Sequence, residues 1–294
     1  MGQLFGTDGI RGEANRYPMD AALAFSVGQA ITYLLKRPNR SPAIIVGKDT
    51  RISGYMLESS LEAGITSMGG ISRLVGVLPT PGIAYITQSM RADAGIVVSA
   101  SHNPFQDNGI KIFSGNGFKM SDEQEETIEQ LVLEGKLPDM APPAAGMGRA
   151  YRLEDVHGRY IVFLKNTFPR TLSMEGMKLV LDTANGAAYK VAPQAFAELG
   201  ADVEVIHNAP NGFNINDNCG SQYTDELKRR VVESGASIGL AFDGDADRLI
   251  AVDERGHEIT GDQILMICAK AAKDEGRLKS DLLVSTVMSN LGLI

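Results

Sequence analysis

The sequence predicts an α/β protein: two related three-layer α/β domains with mixed sheets, followed by the start of a third. Three observations carry this. Short apolar runs alternate with helix-like stretches. One order of elements (strand, Asp-Thr turn, helix, glycine stop, strand) occurs twice. A segment rich in proline, alanine and glycine, Leu137–Gly148, separates the two occurrences and sets a boundary near Ala150. The expected domains are therefore residues 1–150, 151–257 and an incomplete unit at 258–294.

Taken in order, Ala43–Val46 reads as a strand leading into "GKDTRISG", and "YMLESSLEAGITSMGG" as a helix ended by glycines. Leu74–Leu78 is a second strand, and the proline of "PTPG" suits the first turn of a helix through "GIAYITQSM". Ser121 is placed as an N-cap, with Glu123, Glu125 and Glu126 near the positive end of a helix running to about Leu133. The pattern restarts at "KLVLDTANGAAYKVAPQAFAELGADVEVIH", where Asp182-Thr183 and Gly200 match Asp49-Thr50 and Gly69. A βαβ grammar reached separately in the two halves would give the same match. Helical "GDQILMICAKAAKDEG" and strand-like "LLVSTVMSN" suggest a third copy that stops short.

Composition narrows the function. A chain of 294 residues, 44% hydrophobic and 22% charged, is an ordinary soluble protein with room for two cores. A net charge of -8 argues against general nucleic-acid binding, but leaves small anions open to a few local cations and backbone N–H groups. No apolar run reaches the roughly 18 residues of a membrane span, and "MGQLFGTDGIRGE" lacks a signal-peptide core. Cys219 and Cys268 lie far apart without metal-ligand spacing and are read as packed or free thiols. A cytoplasmic protein is expected.

The chemistry concentrates in two segments. In "SIGLAFDGDADRLIAVDERG", Asp243, Asp245 and Asp247 alternate after an apolar run, and an extended backbone would point all three the same way. Converging carboxylates call for a cation, and oxygen donors select a hard one, Mg²⁺ or Ca²⁺. An EF-hand is excluded, because Arg248 stands where its loop needs glycine and the flanks read as strands. Arg248 is better suited to meet a phosphate. In "AGIVVSASHNPFQDNGIKIFSG", a strand empties into a hydroxyl-rich turn. Ser99 and Ser101 are both available to carry a phosphoryl group facing the aspartates, or they only cap the turn. His102 and Lys111 add a proton-transfer group and a cation. The N-terminal "FGTDGIRG", with Thr7, Asp8 and Arg11, is either an anion cradle or a structural hairpin.

Together, "FGTDGIRG", "SASHNP" with "NGIKI", and "DGDADR" resemble the α-D-phosphohexomutases along essentially the whole chain, as do "KDTRISG" and "STVMSNLG". The resemblance is strongest to the bacterial members acting on glucosamine phosphates. It implies a mutase that interconverts glucosamine 6-phosphate and glucosamine 1-phosphate through a phosphoserine and a sugar bisphosphate. Phosphomannomutase or phosphoglucomutase chemistry is the sister reading, and a non-catalytic metal- and phosphosugar-binding fragment the other. By the resemblance, Ser101 carries the phosphoryl group and, with Asp243, Asp245 and Asp247, binds one Mg²⁺. Arg11, Lys111 and Arg248 surround the transferring phosphate, and His102 shares the pocket. Lys111 serves as a base if desolvation lowers its pKa. A hexose 1,6-bisphosphate acts as activator, a homodimer is an expected assembly, and neither nucleic acid nor membrane is a partner. The family's Gly-Glu-x-Ser-Gly sugar loop and Arg-x-Ser-Gly-Thr phosphate loop do not occur in this sequence. The chain is thus read as ending early in a third domain, with metal binding and serine phosphorylation expected and turnover resting on those loops.

Overall fold

The computed structural model describes residues 2–290. A six-stranded mixed sheet holds β1 (Ile10–Glu13), β2 (Ala43–Lys48), β3 (Ile71–Val77), β4 (Ala94–Val98), β5 (Asp107–Ser114) and β6 (Arg149–Arg152), in the spatial order β1-β5-β4-β2-β3-β6. A second, five-stranded sheet holds β7 (Lys178–Asp182), β8 (Asp202–Ile206), β9 (Ile238–Phe242), β10 (Leu249–Asp253) and β11 (Glu258–Ile259), in the order β11-β10-β9-β7-β8.

Period-two alternation explains the three layers. On β2, Ile44 and Val46 point into one core while Ile45 points into the other, and β4 divides Ile96 and Val98 from Val97 in the same way. The first core is covered by α1 (Ala21–Leu34), α2 (Gly54–Ser67) and α4 (Asp122–Glu134), the second by α3 (Thr80–Ser89) and α5 (Val156–Thr167). The second sheet repeats the division. Leu179, Leu181 and Leu240 meet α6 (Val191–Glu198), whereas Val180 and Ala241 meet α7 (Asp225–Ser234). Val191 and Ala195 of α6 also enter the first unit's outer core, so one helix is shared and the two units abut.

The repeat runs deeper than the two segments visible in the sequence. In the first unit β2 lies parallel to β3 and β4, and β4 is antiparallel to β5. In the second, β7 lies parallel to β8 and β9, and β9 is antiparallel to β10. Gly69 and Gly200 end corresponding helices with φ of 87° and 99°. The β4–β5 connection, which holds "SASHNP", therefore corresponds to the β9–β10 connection, which holds "DGDAD".

Three expectations change. Residues 149–152 form an edge strand of the first sheet, and β11 extends the second sheet past position 257. Asp243–Arg248 is a turn joining two antiparallel strands, not an extended run. The strand expected over Leu282–Asn290 is absent: these residues have no regular structure, and Val284, Val287 and Met288 are exposed, with no neighbouring strand among the described residues to pair them. The end of "STVMSNLG" lies outside the described residues. The last helix, α8 (Gly261–Asp274), starts with a Thr260–Gln263 capping box and leaves Leu265, Met266 and Ile267 exposed. Among the described residues, no helix is long and apolar enough to cross a membrane.

Candidate active site

The two corresponding turns face each other across the join between the units. Ser101 is 1% exposed, and its Oγ donates to Asp243 Oδ2 at 2.7 Å. Its backbone has φ of 53°, the left-handed region that a non-glycine residue enters only when its surroundings hold it there. The holding network is specific. Ser99 Oγ accepts from Ser101 N at 3.0 Å and donates to Asp49 Oδ2 at 2.6 Å. Arg51, wholly buried, donates from Nε to Asp49 at 2.9 Å and from Nη2 to the carbonyls of Ser101 and Asn103, both at 2.9 Å. From the second unit, Asn216 Nδ2 donates to the same two carbonyls at 2.9 and 3.0 Å. Gly244 lets the turns meet: a Cβ there would lie 2.7 Å from Ser101 O.

The aspartates converge through the turn. Asp243 and Arg248 close it, with Arg248 N donating to Asp243 Oδ1 at 3.1 Å, and Ala246 takes φ of 55° at its tip. Carboxylate oxygens of Asp243, Asp245 and Asp247 lie within 4.8 Å of one another. Two unit charges about 4 Å apart repel by about 4 kcal/mol at an effective dielectric of about 20, so the trio needs positive charge. Part of it comes from Lys111, whose Nζ lies 3.0 Å from Asp245, 3.4 Å from Asp247 and 3.1 Å from Asp8. Thr80 Oγ1 donates to Asp245 Oδ2 at 2.6 Å, yet Asp245 Oδ1 is buried without a partner. Burial, reinforced by the charge of Asp245, pushes Asp243 up to about 7. An unpartnered buried oxygen, two further carboxylates and a serine hydroxyl form an all-oxygen donor set that fits a hard divalent cation.

The remaining residues ring this centre. Burial, with Arg248 and Arg11 adding, holds His102 below the ordinary histidine value, and its Nδ1 lies 3.4 Å from Ser101 Oγ. A neutral ring there is able to accept a proton. Arg11, on β1, pairs with Asp8 at 2.7 Å, and the half-exposed Arg248 side chain reaches to 4.0 Å from Asp247. Gly9, at φ of 85°, allows the N-terminal loop to pass against β5, since a Cβ would fall 2.3 Å from Ile110 O. Lys111 differs from its expected chemistry. Burial works against its ammonium, but Asp245, Asp247 and Asp8 outweigh that and hold it above the ordinary lysine value. It is a fixed positive charge here, not a ready base.

Ser101, His102, Lys111, Asp243, Asp245 and Asp247 thus gather in one place, with Arg248 and Arg11 at the rim. Sequence reasoning missed Thr80, Asn216 and the positioning role of Arg51. The first two have no local signal, and Arg51 was visible only as part of "KDTRISG".

Residues 2–139 match phosphoglucomutase/phosphomannomutase alpha/beta/alpha domain I and residues 158–256 match domain II, and the chain belongs to that family. It is 76% identical over 293 residues to a phosphoglucosamine mutase of Syntrophobacter fumaroxidans and 61% identical over 293 residues to that of Syntrophus aciditrophicus. It is fully covered in both comparisons and spans 65% of the length of each relative. A solved phosphoglucomutase/phosphomannomutase family protein from Burkholderia thailandensis superposes with a TM-score of 0.76 at 27% identity, covering 91% of this chain and 58% of that one.

Proposed function

We propose that the chain carries the phosphoserine and metal half of a cytoplasmic phosphosugar mutase that interconverts glucosamine 6-phosphate and glucosamine 1-phosphate. The observation that carries this reading is the 2.7 Å contact between Ser101 Oγ and Asp243, with a three-aspartate donor set beside it. The choice of an amino sugar is supported by the named activity of the relatives at 76% and 61% identity.

Asp243, Asp245 and Asp247, with an oxygen on Ser101, would hold Mg²⁺, which when bound supplies charge neutralisation to the phosphoryl oxygens. The chain's own groups do the rest. In the first half-reaction the free sugar hydroxyl attacks phosphorus on phosphoserine 101. The new sugar O–P bond forms as the Ser101 Oγ–P bond breaks, the sugar hydroxyl gives up a proton and Ser101 Oγ gains one. After the resulting bisphosphate turns end for end, Ser101 Oγ attacks its other phosphate and the proton returns to the sugar oxygen. His102 Nδ1, 3.4 Å from Ser101 Oγ, is within reach to take and return the Ser101 proton. Lys111, Arg11 and Arg248 supply fixed positive charge around the phosphoryl oxygens. The turn held by Arg51, Ser99 and Asn216 keeps Oγ aimed throughout.

The test incubates the purified chain with Mg²⁺ and a hexose 1,6-bisphosphate and follows one added phosphoryl group by intact mass. Glucosamine 6-phosphate formed from the 1-phosphate is read alongside. A phosphoprotein abolished by Ser101→Ala is expected. Phosphate release that survives Ser101→Ala would replace this reading with a phosphatase acting through Asp243.

A further inference from the structure

A second cluster of metal-ligating side chains lies in the second unit, outside the site above. Asp182 ends β7, His207 follows β8, and Cys219 precedes the short helical turn Gly220–Gln222. One donor atom of each lies within 4.8 Å of the others. We propose that Asp182, His207 and Cys219 form a second metal site, for a borderline divalent ion of the Zn²⁺ class.

Four observations support it. First, His207 Nδ1 lies 3.0 Å from Asp182 Oδ2 yet is a buried nitrogen with no properly directed hydrogen-bond partner. Two donors lying side by side rather than pointing at each other is how neighbouring ligands of one ion are arranged, about 3.3 Å apart around a tetrahedral centre. Second, the far ring nitrogen, Nε2, lies 3.2 Å from Glu226 Oε2. A carboxylate on the outer nitrogen of a histidine is the usual support of a metal-binding imidazole, because it fixes the tautomer and the ring.

Third, comparison of the two repeats shows that Asp182 lacks the arginine that its counterpart has. Asp49 and Asp182 occupy corresponding positions, and each accepts from the backbone two residues on, Arg51 N at 2.9 Å and Ala184 N at 2.8 Å. In the first unit the residue two positions on is Arg51, whose guanidinium neutralises Asp49. In the second it is Ala184, and Asp182, equally buried, forms no ion pair with an arginine or lysine among the described residues; its basic neighbour is His207. Its Oδ2 also accepts from Gly220 N at 2.9 Å, which fixes the carboxylate and leaves lone pairs free. Fourth, the donor set is mixed. A thiolate, an imidazole and a carboxylate suit Zn²⁺ and do not suit Mg²⁺.

Cys219 and Asp182 are buried while the His207 side chain is 22% exposed, which leaves a path for the ion and for a water as fourth ligand. Binding would release the thiol proton to solvent as the sulfur–metal bond forms. His207 and Cys219 are the two ends of the loop that carries Asn216 to Ser101, so the ion would tie that loop at its base.

The experiment strips the 294-residue chain with a chelator and titrates it with Co²⁺ as a spectroscopic stand-in for Zn²⁺. One equivalent should give a thiolate-to-cobalt charge-transfer band, and one equivalent of Zn²⁺ should bleach it. His207→Gln, which touches a partly exposed side chain and keeps the fold, should weaken Co²⁺ binding at least about tenfold. Cys219→Ser should abolish the band, whereas Asp243→Asn and Cys268→Ser should leave it intact. Absence of the band in the unaltered chain would overturn the proposal. So would a band that persists in both Cys219→Ser and His207→Gln or is lost with Cys268→Ser.

Discussion

Ser101 is held in the left-handed region at φ of 53° by donors from both units, and much of the site's chemistry depends on that one turn. Ser99 and Ser101 look interchangeable in sequence, but one hydroxyl is turned to the aspartates and the other to Asp49. We predict that Ser101→Ala abolishes the phosphoprotein. Ser99→Ala should retain it while costing about 1–2 kcal/mol in urea denaturation, because Asp49 loses a buried donor. Arg51→Lys should cost more, on the order of 3–5 kcal/mol, since a lysine cannot bridge Asp49 and the turn's carbonyls together. Asp245→Asn keeps the Thr80 contact and should lower Mg²⁺ affinity at least about tenfold by calorimetry with little change in stability. Unchanged affinity with a large stability loss would make the aspartates a structural turn.

At the scale of elements, helix α4 does more than cover the core. Its Glu129 accepts from the backbone N–H groups of Gln3, Leu4 and Phe5 at 2.8, 2.8 and 3.1 Å and so pins the segment leading to Asp8 and Arg11. Burial alone would raise Glu129, but the three N–H donors outweigh it and hold it below the ordinary glutamate value. A depressed carboxylate contributes stability that is present above its unfolded pKa of about 4.5 and is lost as pH falls through the lower folded value. Protection of the Leu4 and Phe5 amides, corrected for the intrinsic exchange rate, should accordingly fall below about pH 4.5, and Glu129→Gln should show low protection already at neutral pH. Protection independent of pH in the unaltered chain would show that the segment is held by apolar packing alone. Elements with strong local patterns, such as β2, α2, β7 and α6, were legible in the sequence because periodicity and glycine stops are local properties. Strand β6 was not, since "RAYR" is exposed and becomes a strand only by pairing with β3. The run Leu282–Asn290 failed for the converse reason: it has strand composition but pairs with no strand among the described residues.

For the whole molecule, the decisive fact is that two copies of one unit share α6 and bring their corresponding turns together. The residues of both turns were readable from sequence, because hydroxyls after one strand and alternating carboxylates after another are unusual there. Their meeting was an expectation only, as nothing local encodes the packing of one unit on the other. Thr80 and Asn216, which reach the centre from other loops, lay beyond sequence reading for the same reason. The Asp182, His207 and Cys219 cluster is a third case: its members lie at the end of β7 and at the two ends of the loop after β8, and the cysteine spacing that signals a metal site in a short motif never arises. The account's central claim is that position 101 and the aspartate turn form one cation-binding centre. Anomalous diffraction from crystals of the chain soaked in Mn²⁺ tests it most directly. We predict one strong peak bounded by Asp243, Asp245 and Asp247 and in contact with the Ser101 oxygen or a phosphoryl group on it. A peak elsewhere with none between these residues, or a Ser101 side chain turned away from the ion, would contradict the account.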